Sequence, residues 1–223
     1  MERIEQFIEQ WLPYITKASI ETFQMVSVSL VISIIIGIPL GVLLVLTRPG
    51  QAWENNFIYQ VLNVLINIIR SIPFIILLFF LIPFTKAIVG TTIGVRGVIV
   101  PLVVYTAPYL ARLLETSLLE VDEGVKEAYQ AMGIKTHQII WHVILREARS
   151  SIVLGLTIVT VGLIGATAMA GLVGAGGLGD LAYRFGHIRY EVDVMYATVI
   201  ILIVIVQTIQ TIGNKLAAYL KKD

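Results

Sequence analysis

The sequence predicts an all-α, polytopic membrane protein with five transmembrane helices. Of 223 residues, 57% are hydrophobic and only 14% charged, and the mean hydropathy is +0.86, where an ordinary soluble domain carries roughly 25% charge. Long uncharged runs recur along the chain, several exceeding the ~20 residues that cross a hydrocarbon core. Sixteen Lys and Arg against fifteen Asp and Glu leave a net charge of +1, so no basic field exists to hold nucleic acid. The absence of cysteine removes disulfide frameworks and thiolate zinc sites, and three histidines are too few for a histidine-rich metal centre. No metal or cofactor site is expected on the chain.

Residues 1–17 carry Ile4, Phe7, Ile8, Trp11 and Leu12 at helical spacing. They read as an amphipathic segment, either a short helix on the membrane surface or an extension of the first span. Glu2, Glu5 and Glu9 are unlike the basic start of a cleaved signal peptide. A membrane domain, 18–211, follows. Its first span, about 20–47, includes an uncharged stretch from Thr22 to Thr47, and Pro39 between Gly37 and Gly41 predicts a kink. The second, about 57–84, holds Arg70 and Pro73, so one tilted or broken helix must carry a charge. The third, about 93–111, contains Pro101 and Pro108 and leaves Arg96 at the interface. A long polar loop, 112–149, separates it from the fourth span, about 151–173. The fifth covers about 194–214, with 212–223 as a C-terminal tail. Nine Lys and Arg (Arg48, Arg112, Lys126, Lys135, Arg146, Arg149, Lys215, Lys221, Lys222) fall on the side of the polar loop and six on the other, with Arg70 left out as intramembrane. That excess puts the loop and C-terminus in the cytoplasm and the N-terminus outside.

The polar loop reads Glu127-Ala128-Tyr129-Gln130-Ala131-Met132-Gly133 and continues through Ile134 into the apolar run Ile139-Ile140-Trp141-His142-Val143-Ile144-Leu145. This resembles the EAA loop of ABC-importer permeases, departing from it at Tyr129 and at Arg146. The runs Thr47-Arg48-Pro49-Gly50-Gln51, Arg70-Ser71-Ile72-Pro73-Phe74, Ile82-Pro83-Phe84-Thr85 and Ile88–Gly94 resemble the methionine-uptake branch of that family. The resemblance implies a type I ABC-importer permease fold in the plasma (inner) membrane, spanning 18–211. It further implies a homodimer of this chain, two copies of an ATPase subunit carrying ATP and Mg, and an extracytoplasmic substrate-binding protein. Glu127, Ala128, Tyr129, Gly133, Ile134 and Ile139 would form the segment that couples to the ATPase. A helix that docks in a partner's groove needs small residues for close approach, a glycine to end it and apolar side chains to fill the cleft.

Arg70, with Asn67 and Ser71 near it, reads equally as a gating charge or as a snorkelling residue, and Pro73 as a hinge beside it. Met169 lies in the small-residue run Gly165–Gly171 and reads either as part of a translocation path or as close helix packing. Gly174, Gly176, Gly177 and Gly179 form an outer turn that contributes to a gate or to contact with the binding protein. They also fit G-x-G-x-x-G, but that fingerprint requires a preceding strand, and this run follows a membrane span. No phosphate-binding loop G-x-x-x-x-G-K-[ST], nucleophile elbow or H-E-x-x-H pair occurs, so the chain reads as neither ATPase nor hydrolase. His137 and His142, five residues apart, read as surface residues. The expected function is that of the permease half of an importer for D- or L-methionine or a close analogue. The alternatives are a permease for another amino-acid-like or osmolyte solute, an ATP-independent secondary transporter, and, weakest, an intramembrane enzyme.

Overall fold

A backbone in hydrocarbon has to satisfy its own N–H and C=O groups, and the chain does so with helices: no strand occurs among the described residues. The computed structural model describes the backbone of residues 2–51 and 53–221, leaving aside the side chains of residues 2–4, 126, 130, 136 and 137. The places expected for Ile4 in the amphipathic stripe, for Lys126 and Lys222 in the charge count, and for the His137 side chain therefore lie outside the described residues. In order the elements are α1 (Glu2–Thr47), α2 (Asn56–Ser71), α3 (Phe74–Phe80), α4 (Ile82–Val89), α5 (Gly94–Leu119), α6 (Glu123–Ala131) and α7 (Thr136–Ile139). A π-helical turn (Ile140–Ile144) leads into α8 (Leu145–Glu147) and α9 (Arg149–Ala170). A 3₁₀ turn (Gly171–Val173), α10 (Gly177–Leu181), a second π segment (Ala182–Ile188) and α11 (Val192–Lys221) complete the chain. Four helices are long and apolar enough to cross a membrane, and α2 with α3 make a fifth span if the bent pair is taken as one.

The chain divides into two units. The first comprises Met1–Ile32, Ile72–Tyr105 and Thr160–Ile209. One of its cores joins Met25, Phe74, Leu78, Val98, Leu102, Leu163 and Ala170, and another joins Trp11, Ala18, Leu178, Leu181 and Val194. The second unit comprises Ser33–Ser71, Thr106–Val159 and Gln210–Asp223. There Val45 and Leu46 of α1 and Leu114 and Leu118 of α5 pack with Ile139, Ile140, Val143 and Ile144, while Leu44, Ile66 and Ala111 form a smaller cluster.

Several boundaries differ from the sequence reading, each for a packing reason. Of the two readings for the N-terminal segment the structure has the extension: residues 2–17 continue directly into the first span as one helix, and Trp11 and Ala18 are buried against Leu178 and Leu181. Pro39 does not interrupt α1. Its flanking glycines serve contact instead: a Cβ on Gly37 would stand 2.9 Å from the Ala107 carbonyl oxygen, and one on Gly41 2.8 Å from that of Ala111. The missing side chains let α1 and α5 approach backbone to backbone. The third helix runs on to Leu119, because Arg112, expected to open the loop, is neutralised within the helix by Glu115. The last helix runs to Lys221 rather than giving way to a tail at 212. Its final turns are held by Ser150 Oγ, which donates to the Ala217 carbonyl at 2.8 Å, and by the buried Ala217. The stretch after the glycine run, between the fourth and fifth spans, is largely helical.

Candidate functional site

The segment expected to couple starts where Asp122 Oδ1 accepts the Gly124 N–H at 2.7 Å, so that α6 leaves α5 through a side-chain-stabilised turn. It ends at Gly133, whose φ of +75° only glycine adopts without strain. There the Met132 N–H reaches the Ala128 carbonyl at 3.2 Å and the Ile134 N–H the Tyr129 carbonyl at 3.3 Å. Glu127, Ala128 and Gly133 face outward, whereas Tyr129 and Ile134 are half-buried against the core containing Leu118 and Val121. Ile139 is 2% exposed and lies inside that core. It supports the segment from beneath rather than offering a surface. Sequence reasoning missed the two large apolar side chains that do face outward, Met132 and Trp141.

The second group of expected residues divides. Arg70 is exposed and lies 5.4 Å from the centre of the Tyr109 ring, a cation–π contact. Ser71 Oγ donates to the Asn67 carbonyl at 2.7 Å. Asn67 Oδ1, however, is held by Arg112 Nη2 at 3.1 Å rather than by Arg70. Arg112 also donates to Asn63 Oδ1 and to Glu115 Oε2, and Arg48 Nη1 stands 4.0 Å from Glu115 Oε1. A polar network therefore joins α2 to α5, with Arg48 of the turn after α1 at its edge, and its centre, Glu115, is 3% exposed. Glu115, placed by the sequence reading in the polar loop, lies near the end of α5. The sequence signal was Arg112 and Glu115 at i, i+3, hidden by placing both in a loop. Pro73 caps α3, whose first backbone donors bond to its carbonyl. Met169 is half-exposed, and the neighbouring Gly165 meets open space.

The glycine turn is clamped. Glu21 Oε2 accepts the Gly177 N–H at 2.8 Å and Thr22 Oγ1 the Leu178 N–H at 2.9 Å, so α1 caps the first turn of α10. Gly176 and Gly177 both have φ of +82°, and a Cβ on Gly177 would stand 2.7 Å from Thr22 Oγ1. The Gly174 carbonyl accepts the Gly94 N–H at 3.0 Å, and Gly179 packs on the backbone of Ala168. Beside the turn lies a cavity of about 520 Å³ lined in part by Lys17, Glu21, Asp180 and Arg184. These charges are paired as Lys17 with Glu21 at 3.8 Å and Arg184 with Asp180. Among the described residues no cluster of His, Asp or Glu has metal-binding geometry.

Residues 33–223 match the family described as binding-protein-dependent transport system inner membrane component. The chain is 45% identical over 213 residues to the probable D-methionine transport system permease protein MetI of Vibrio cholerae, covering 94% of this chain and 95% of that one. It is 42% identical over 180 residues to the methionine import system permease protein MetP of Bacillus subtilis, covering 81% of each. A solved structure of inward-facing conformations of the MetNI methionine ABC transporter superposes with a TM-score of 0.93 at 43% identity, over 95% of this chain and 98% of that one. An amino acid ABC transporter crystallised with histidines shares the fold, with a TM-score of 0.75 at 19% identity over 96% of each chain.

Proposed function

The chain belongs to the binding-protein-dependent transport system inner membrane components, and from that membership we propose that it is the permease subunit of an ATP-driven importer of D- or L-methionine or a close analogue. Two copies of the chain span the plasma membrane with N-termini outside and C-termini in the cytoplasm. They rest on two ATPase subunits that hold ATP and Mg, and an extracytoplasmic binding protein delivers the solute. The observation that carries this reading is the α6 segment, a helix stopped at Gly133 with Glu127, Ala128 and Met132 on its open side. The relatives that are 42–45% identical and bear methionine-transport names support the substrate.

In this mechanism ATP closes the partner subunits and drives the paired α6 segments together. Because the segment is seated on Leu114, Leu118, Val45 and Leu46, its displacement moves the helices that carry those residues. Solute then enters from the binding protein and leaves inward after hydrolysis. Transport requires the two states to differ in affinity for solute and binding protein, and no bond is made or broken on this chain. Arg70, Asn67, Ser71, Pro73 and Met169 belong to the gate or path, and the glycine turn to the outer rim.

The test is to purify the chain from its native membrane in mild detergent and reconstitute what accompanies it with its binding protein. A stoichiometric ATPase with methionine-stimulated hydrolysis and uptake is the expected outcome. A homogeneous complex without an ATPase that moves solute on an ion gradient would overturn the reading.

A further inference from the structure

Glu115 is a buried carboxylate with one oxygen left bare. Oε2 is held by Arg112, but Oε1 accepts no hydrogen bond among the described residues, and Arg48 Nη1 stands 4.0 Å away. Burying a charge is costly unless it is fully paired and hydrogen-bonded, and a buried unsatisfied acceptor calls for an explanation. A charge-assisted N–H···O bond closes at about 2.7–2.9 Å, so a shift of about 1 Å would complete the pair.

The two partners are unequally held. Glu115 is 3% exposed inside α5, whereas the Arg48 side chain is 44% exposed on the turn after α1. That turn is tight: the Trp53 N–H donates to the Leu46 carbonyl at 3.1 Å and the Asn55 N–H to the Thr47 carbonyl at 3.0 Å. Arg48 follows Val45 and Leu46, and Glu115 follows Leu114. All three apolar residues belong to the core on which Ile139, Ile140, Val143 and Ile144 of the coupling region are seated. Displacing that region thus acts on both ends of the 4.0 Å gap, and packed cores tend to move between discrete arrangements rather than deform smoothly.

We infer that Arg48 and Glu115 form a state-dependent latch, open in this arrangement and closed in another stage of the transport cycle. Glu115 is a positioning residue: through Arg112 it holds Asn63 and Asn67 of α2, and through Arg48 it registers the position of the turn after α1. The inference rests on the coupling role proposed for α6.

The experiment uses the reconstituted importer with its ATPase and binding protein, comparing wild type with Arg48→Gln, Arg48→Lys and Glu115→Gln. Expected is a several-fold loss of stimulation by binding protein and methionine in Arg48→Gln and Glu115→Gln while basal ATP hydrolysis persists, with Arg48→Lys recovering most of it. Because the chain contains no cysteine, an Arg48→Cys, Glu115→Cys pair supplies a second readout that does not depend on the Gln variants folding. A short bifunctional thiol reagent should cross-link it with several-fold different yield in the nucleotide-free and the ATP–vanadate-trapped complex. Equal yield in the two states, or Gln variants with wild-type stimulation, would overturn the latch. Absence of stimulation in the wild-type complex would overturn the transport reading and the latch with it.

Discussion

Gly133 and Glu21 show how single residues hold this chain's special backbone. A Cβ at Gly133 meets nothing within 4 Å, so the constraint there is conformational rather than steric. Gly133→Val is expected to cost about 1–2 kcal/mol at this left-handed position, to leave membrane insertion intact and to abolish methionine-stimulated ATP hydrolysis. Comparing insertion with stimulated turnover checks it, and wild-type turnover would contradict it. Glu21→Ala removes the acceptor of the Gly177 N–H. A lost charged cap is worth about 1–2 kcal/mol, so the thermal midpoint of the purified protein should fall by a few degrees, whereas Glu21→Gln keeps an acceptor and should fall less. The sequence made Gly133 legible because a motif surrounds it. It hid Glu21, since nothing local to residue 21 announces a partner 156 positions away.

Helices were largely readable, because long uncharged runs have one solution in hydrocarbon. Their ends were not: Arg112 looks like the start of a loop until Glu115 is seen to neutralise it and Asn63 to accept its hydrogen bond. Beside Pro39, Gly37 and Gly41 mark where α1 meets α5, which the sequence did not announce. Introducing Ile at Gly37 or Gly41 inserts bulk where a Cβ alone would stand under 3 Å from a carbonyl oxygen. Overpacking of this kind costs about 1–3 kcal/mol, and the yield of monodisperse protein after detergent extraction should drop sharply. Gly162 is the control, for a Cβ there meets nothing within 4 Å, and Gly162→Ile should extract as wild type does. Equal yields for all three would show that the α1–α5 approach does not set stability. Within the proposed coupling segment the motif did not mark the faces, because periodicity does not tell which side of a short helix rests on the core. Ile139 lies beneath and Met132 and Trp141 lie outside.

At the scale of the whole molecule the cysteine-free sequence offers a direct check of topology. Lys135→Cys, beside the coupling turn, should react with a membrane-impermeant thiol reagent only from the cytoplasmic side. Tyr190→Cys, at a site 79% exposed, should react only from outside, and the reverse pattern would invert the proposed orientation. The hydrogen bonds from Gly177 to Glu21 and from Leu178 to Thr22 carry a further consequence, for biogenesis. At about 5–20 residues per second, the ribosome makes these donors roughly 8–30 s after their acceptors. During that interval Glu21 and Thr22 sit in a nascent helix without the groups they will cap. A chain that stops short of α10 leaves Glu21 and Thr22 without the backbone donors they hold in the folded chain.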